Sequence, residues 1–333
     1  KYDHVNLNTK RQVGSTIKPL LYTQAMEERG LRPETQVENA AQYFPGSGWV
    51  PAGRECGGGT ITLANALAYS KNCATASIMK QVGPESFSDF LRRLKIPTPV
   101  QPFPSICLGA CDLSLYEMLW GYTIFAGSGY STKPRSILRI EDRNGKVIKQ
   151  IHYLANREEV VSEATAYTMA RVMQGAVDKG TAAGMRARVG AMEMGGKTGT
   201  TNDNADAWFI GFTPQILVGA WVGFDDRFIK NQGDGSRMAR PICEYFLGKV
   251  LSDAKTGIEK EARFLQPEEM AIHQNAADII ISDTDPLPGA TGENTGVGTE
   301  EDYEEMDEQG NSPTGPMKSD TTRSNPARLP KEQ

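Results

Sequence analysis

Apolar and polar residues along the chain alternate between two periods, and the switches mark the elements. Residues 15–29 (STIKPLLYTQAMEER) carry a helical pattern, with Pro19 in the first turn, where a missing N–H is tolerated, and Gly30 suited to the stop. Residues 35–60 hold Gly, Pro and aromatics without period and predict an irregular, partly packed loop. A second helical pattern, Thr62 to Tyr69, breaks at Ser70-Lys71-Asn72 and resumes at about Ala74, which predicts two short helices with a polar elbow. Further helices are predicted at 84–95, 113–126 and 162–178, and residues 136–150 alternate around Asn144-Gly145, a hairpin signal. After Gly195-Gly196 the period becomes two: KTGT, a polar TNDNAD loop, AWFIGFT, a Pro214-Gln215 turn and ILVGAWVGF predict three antiparallel strands. Residues 238–252 read as a helix closing onto that sheet, with Met169, Met173, Trp208 and Trp221 as core. The sum is an α+β domain, an antiparallel sheet flanked by helices, with no internal repeat.

Composition changes the picture at one end. The 333 residues carry 36 Lys plus Arg and 41 Asp plus Glu, and residues 284–333 hold eleven of the acids but four of the bases. Large apolar residues are sparse there, among six Gly and six Pro, so a disordered acidic tail is expected from 284, after an extension over 253–283. The rest is nearly neutral, which offers no field for a nucleic-acid backbone. No run of 18 apolar residues is present, so no membrane span is expected. The start at Lys1, with no Met and no signal pattern, suggests a fragment of a longer protein. Five cysteines (Cys56, Cys73, Cys107, Cys111, Cys243) form no CxxC pair, and His4, His152 and His273 lie far apart, so no metal site is expected. Buried free thiols are the expectation, with Cys107 and Cys111 the one close couple. Cys56-Gly57-Gly58-Gly59 lacks the Lys-Ser/Thr of a phosphate loop and reads as flexible backbone.

Three short patterns carry candidate chemistry: Ser15-Thr16-Ile17-Lys18, Ser70-Lys71-Asn72 and Lys197-Thr198-Gly199-Thr200. Each alone is common. Ser77-x-x-Lys80 is a second S-x-x-K match, out of order and mid-helix, and reads as chance. Taken singly, Ser15 and Lys18 could be an ordinary helix start, Ser70 and Asn72 a capping pair, and Lys197 a strand-edge lysine. In order and in context they make one mechanism. Residues i and i+3 of a helix are neighbours, so Lys18 reaches the Ser15 hydroxyl. Serine is a weak nucleophile until a base takes its proton, and Lys18 can be that base only when neutral, a state favoured by burial and by a nearby Lys197. Ser70 would relay the proton, and Asn72 would anchor substrate. A strand carrying Lys197, Thr198 and Thr200 could align an extended peptide and meet its carboxylate, with Gly199 allowing close backbone approach. The backbone N–H groups of Ser15 and Thr200 would form the oxyanion hole. Asp203 and Asp206 flank the next strand and read as a solvated loop that could touch substrate.

The ordered set S-x-x-K, S-x-N and K-T-G resembles the active-site serine penicillin-recognising enzymes. The strings RQVGSTIKP at 11–19 and GGKTGTTNDNADAWFIGFTP at 195–214 resemble the transpeptidase domain of class A, bifunctional penicillin-binding proteins, over about residues 2–250. The resemblance implies the penicillin-binding protein/serine β-lactamase-like fold, with a transpeptidase domain at 1–252 that lacks its first strands. It implies a D,D-transpeptidase: Ser15 attacks the D-Ala-D-Ala bond of a peptidoglycan stem peptide, D-Ala leaves, and an acceptor amine takes the acyl group. β-Lactams would acylate the same serine, a D,D-carboxypeptidase side activity is possible in such enzymes, and no cofactor is needed. The family also implies a glycosyltransferase domain and membrane anchor upstream, outside this chain, and a location on the periplasmic side of the cytoplasmic membrane. Two rivals share the motifs: a serine β-lactamase, and a β-lactam sensor that binds without transfer. No glutamate before Lys197 has Asn four residues on, so the deacylating E-x-x-x-N stretch of class A β-lactamases is missing.

Overall fold

The computed structural model describes residues 3–270, apart from 52–55, 152–156, 202, 203 and 269. The predicted tail at 284–333, residues 269 and 271–283 of the extension, His152, His273 and Asp203 lie outside the described residues.

A two-residue strand β1 (Arg11–Gln12) leads into a 3-10 turn, Gly14–Ile17, and then helix α1 (Lys18–Arg29). Strands β2 (Gln36–Glu38) and β3 (Thr60–Thr62) pair antiparallel, and helices α2 (Leu63–Ala68), α3 (Asn72–Val82) and α4 (Pro84–Arg93) follow. A 3-10 segment (Pro104–Leu108) precedes β4 (Asp112–Leu113), which pairs with β1. Helix α5 (Leu115–Ala126), strands β5 (Tyr130–Thr132), β6 (Arg139–Glu141), β7 (Val147–Gln150) and β8 (Arg157–Glu159), and helices α6 (Glu163–Asp178) and α7 (Arg186–Val189) come next. The chain ends its regular part with β9 (Gly195–Thr200), β10 (Asp206–Phe212), β11 (Leu217–Gly223) and helix α8 (Arg240–Ser252).

The helices start and stop where local chemistry dictates. Ser114 and Glu117 close a reciprocal capping box on α5, Ser162 caps α6, and Gly30 ends α1 in the left-handed region. The predicted 136–150 hairpin is β6–β7; Gly145 takes the positive φ, and the Asp142 and Lys146 backbones close the loop.

The sheet order is β11-β10-β9, antiparallel throughout, with Lys197 opposite Ile210 and Gly199 opposite Trp208. Strand β10 is buried at every position, and its period-two alternation divides the interior. Trp208, Ile210 and Phe212 face a large core shared with α1, α5 and α6, while Phe209 faces a smaller one with Val218, Ala220, Cys243 and Leu247. Met169, Met173, Trp208 and Trp221 all pack in the large core, as their pattern predicts. Helix α1 runs through it with Lys18 to Ala25 buried in an unbroken run. Leu20, Leu21 and Tyr22 are each fully enclosed, a burial worth about 1.5–3 kcal/mol per aliphatic side chain. The start of this helix is thereby rigidly held.

Two expectations need correction. Cys56 and Cys73 form a disulfide, so the thiols are not all free; Cys107, Cys111 and Cys243 are. Burial pushes each of those three up to about 12, with the Asp112 and Glu117 charges adding to it at Cys111 and Glu244 at Cys243. Asp206 is not in a solvated loop: it is buried on β10, where Oδ1 accepts from Trp221 Nε1 at 2.8 Å and the backbone N–H donates to Thr201 Oγ1 at 2.9 Å. Burial holds its carboxyl above the usual carboxylate range, against the opposing pull of Trp221, Arg11 and Thr201.

Candidate active site

Ser15 sits in the 3-10 turn rather than in the α-helix its sequence predicts. The backbone N–H of Lys18 donates to Ser15 O, the i to i+3 bond of such a turn. Side chains three apart eclipse in that geometry, so the turn keeps positions 15 and 18 on one face. The turn is tied down on several sides. Tyr122 Oη donates to Thr16 O at 2.5 Å, Trp208 Nε1 donates to Gln12 O at 2.8 Å, and Thr16 Oγ1 donates to Val13 O at 2.6 Å.

Glycines let this turn press against the K-T-G strand. Gly14 has φ +51°, and a Cβ there would lie 2.5 Å from Thr200 O. Gly199 faces the turn from the strand side: its Cβ would lie 2.8 Å from Thr16 Cγ2 and 2.9 Å from Val13 O. The close approach that Gly199 permits is therefore made by the Ser15 turn. Gly235 N–H, from the loop before α8, donates to Thr200 Oγ1 at 3.1 Å, which leaves the Thr200 hydroxyl proton to donate elsewhere.

The elbow between α2 and α3 brings the second motif in. Ser70 adopts φ 57°, an uncommon conformation for a residue with a side chain, and its N–H donates to Leu67 O at 3.1 Å. Lys18 and Lys197 both converge on this elbow, and each is fully buried, at 0% exposure. Lys18 Nζ donates to Ser70 Oγ at 3.1 Å, Ser70 O at 2.7 Å and Asn72 Oδ1 at 2.6 Å. Lys197 Nζ donates to Ser70 Oγ at 2.8 Å and to Thr198 O at 3.1 Å. One hydroxyl oxygen thus accepts from two amines brought together from α1 and β9. Thr198 Oγ1 donates to Thr181 Oγ1 at 2.8 Å.

These groups underlie a cavity of about 180 Å³ lined by Ser15, Asn72 and Thr200 together with Gln12, Trp49 and Leu108. All eight residues predicted from sequence fall in this neighbourhood: Ser15, Asn72 and Thr200 on the surface of the cleft, Lys18, Ser70 and Lys197 in the bonded set, and Thr198 and Gly199 on the same strand. The second S-x-x-K match is elsewhere, with Lys80 exposed on α3. Sequence reasoning missed Thr181, Trp49 and the Ser105–Ala110 wall. No periodicity marks any of them; a Gly-Thr step after α6 is the single local cue to Thr181. Among the described residues, no cluster of His, Cys, Asp and Glu could hold a metal ion.

The penicillin-binding protein transpeptidase domain family matches residues 2–222, the stretch that contributes every group just described except Gly235. The chain belongs to that family. The transpeptidase domain is 34% identical over 254 residues to penicillin-binding protein 1A of Neisseria flavescens, covering 72% of this chain and 31% of that protein. It is 32% identical over 278 residues to penicillin-binding protein 1A of Aquifex aeolicus, covering 82% of this chain and 37% of that one. The chain thus spans about a third of the length of these relatives, and the class A resemblance agrees with them. Among solved structures, penicillin-binding protein 1A from Haemophilus influenzae superposes with TM-score 0.69 at 24% identity, covering 79% of this chain and 44% of that one. The PonA1 protein from Mycobacterium tuberculosis, in complex with penicillin V, superposes at 0.65 with 23% identity, over 80% and 74%. Both share the transpeptidase fold, mixed α+β as expected. Among the described residues, no helix is long and apolar enough to cross a membrane.

Proposed function

We propose that this domain is a D,D-transpeptidase that cross-links peptidoglycan stem peptides through an acyl-enzyme on Ser15. The observation that carries this reading is the meeting of Lys18 and Lys197 on Ser70 Oγ beside the cleft that exposes Ser15. Two buried ammonium groups this close favour release of a proton from one of them, and a neutral Lys18 is the base that Ser15 needs.

Ser15 Oγ attacks the carbonyl carbon of the penultimate D-Ala, and its proton passes to Lys18, with Ser70 as the relay. Backbone N–H groups of Ser15 and Thr200 receive the developing oxyanion. Collapse of the tetrahedral adduct breaks the C–N bond, and the proton goes to the departing D-Ala amine. An acceptor amine then attacks the Ser15 ester, gives its proton back to the same base, and frees the hydroxyl. Lys197, Thr198 and Thr200 meet the terminal carboxylate, while Asn72 holds the acyl side. A β-lactam, whose strained amide and carboxylate mimic the D-Ala-D-Ala terminus, stops at the ester. The Cys56–Cys73 disulfide supports an extracytoplasmic, oxidising location. In the whole protein, an upstream anchor and glycosyltransferase domain would place this domain at the membrane face.

Intact-mass spectrometry after incubation with a penicillin tests the reading. A persistent adduct on the wild type, absent from Ser15→Ala, is expected. Rapid drug hydrolysis without an adduct would instead indicate a β-lactamase, and an adduct retained by Ser15→Ala would remove Ser15 as the nucleophile.

A further inference from the structure

The connection from β2 to β3, residues 39–59, exceeds the roughly 12–15 residues beyond which an irregular loop in a compact domain is usually functional. Its described residues hold no helix or strand, yet they are anchored. Asn39 N–H donates to Gly59 O and Gly58 N–H to Asn39 O, closing the base. Phe44 is buried in the large core, and the Trp49 ring rests on it at 5.4 Å between centroids. Ser47 Oγ accepts from Trp49 N–H at 3.2 Å. Beyond Trp49, the Cys56–Cys73 bond fastens the loop to α3, one residue after Asn72. Cys73 itself is buried at 1% exposure, so this fastening is to the interior.

Trp49 is half-buried and lines the cleft with Ser15 and Asn72. Its ring and the Leu108 side chain supply the large apolar surface of a lining that is otherwise small or polar. The Lys197 strand is committed to a carboxylate, and Asn72 to a polar group. The apolar pair answers to neither.

We infer that Trp49 is a specificity-determining residue, which stacks on the side chain carried by the acyl donor, and that the Cys56–Cys73 disulfide holds the loop that presents it. This rests on the acyl-enzyme reading above. An aromatic ring gains from an offset or edge contact with another ring, beyond the area it covers, and a saturated chain gains from the area alone. Aromatic acyl groups should therefore depend on Trp49 most, and a donor with no acyl side chain should not depend on it.

Two acyl donors separate these cases: benzylpenicillin, whose side chain ends in a phenyl ring, and 6-aminopenicillanic acid, which has a bare amine there. Acylation rate constants are measured on the full chain by competition with a fluorescent penicillin, with thermal unfolding as the folding control. Trp49→Ala is expected to slow benzylpenicillin about fivefold to tenfold and to leave 6-aminopenicillanic acid within about twofold. Trp49→Phe should keep more than about half of the wild-type rate, because a ring remains. Cys56→Ser should slow benzylpenicillin in the same direction, by about threefold, with 6-aminopenicillanic acid again spared. Equal losses with both donors, or none with benzylpenicillin, would overturn the role of Trp49. A Cys56→Ser protein indistinguishable from wild type would overturn the role of the disulfide. Failure of the folded wild type to react with either donor would overturn the acyl-enzyme reading itself, and this inference with it.

Discussion

Ser70 meets two buried amines with one oxygen, and replacing it separates its hydroxyl from its backbone. Ser70→Ala deletes the one oxygen that accepts from both Lys18, at 3.1 Å, and Lys197, at 2.8 Å. A hydrogen bond to a charged group contributes about 1.5–3 kcal/mol, so two set an upper bound of about 3–6 kcal/mol. Lys18 keeps Ser70 O and Asn72 Oδ1, and Lys197 keeps Thr198 O, which brings the expected loss of stability to about 2–3 kcal/mol. At about 2–4 °C per kcal/mol, the midpoint should fall by roughly 4–12 °C. On the proposed mechanism acylation loses the relay, and it should slow about 10²–10⁴-fold, the usual worth of a positioned proton-transfer group. Ser70→Gly removes the same oxygen but relieves the positive φ of 57°, a conformation costing a residue with a Cβ about 1–2 kcal/mol. The glycine variant should therefore acylate as slowly as the alanine variant while melting about 2–8 °C higher. Stopped-flow acylation by a fluorescent penicillin and scanning calorimetry read the two effects separately. Acylation within threefold of wild type in both variants would refute Ser70 as relay. Identical melting of the two would refute the backbone argument.

Three further predictions concern the frame around the site. Gly14→Ala forces a Cβ to within 2.5 Å of Thr200 O at φ +51°, and should cost at least about 2 kcal/mol and depress acylation, read by calorimetry and penicillin labelling. Maleimide mass tagging of denatured, unreduced protein should count the three thiols Cys107, Cys111 and Cys243, rising to all five cysteines after reduction; five tags without reduction would show the disulfide absent. Asp206 has a carboxyl held above its ordinary value by burial, so its ionisation opposes folding. That penalty is fully present above the raised folded value, shrinks as pH falls through it, and is gone below the unfolded value. Relative to Asp206→Asn, the wild type should gain stability on acidification across that window; a constant difference between the two midpoints would refute the assignment.

What the sequence disclosed and what it withheld divide along a physical line. Helices α1, α5 and α6 and strands β9 to β11 announce themselves because each buries a periodic face, and the period survives in the order of residues. The site's bonded centre was legible for a related reason: Ser15 and Ser70 in turns, Lys18 and Asn72 at helix starts and Lys197 on a strand occupy positions where a few neighbouring residues fix both backbone and chemistry. The two-residue strands β1 and β4 were not legible, since a pair of residues has no period, and they exist only because Arg11 and Gln12 meet Leu113 and Asp112 across the fold. Asp206 was misread for a similar reason. Its polar neighbours in TNDNAD describe a loop, whereas its burial is set by Trp221 and Arg11 from β11 and β1. Cys56 and Cys73 are joined by a contact that no spacing rule selects from five cysteines. Thr181 and Trp49 belong to the same class, brought to Thr198 and to Ser15 by packing alone. The three motifs are thus written locally, in short runs of residues, while the rest of the cleft lining is written in tertiary contacts. Trp49 and Leu108 line the cleft outside every motif, so on the role proposed for Trp49 a change of ring there should shift the preference among acyl donors with all three motifs intact.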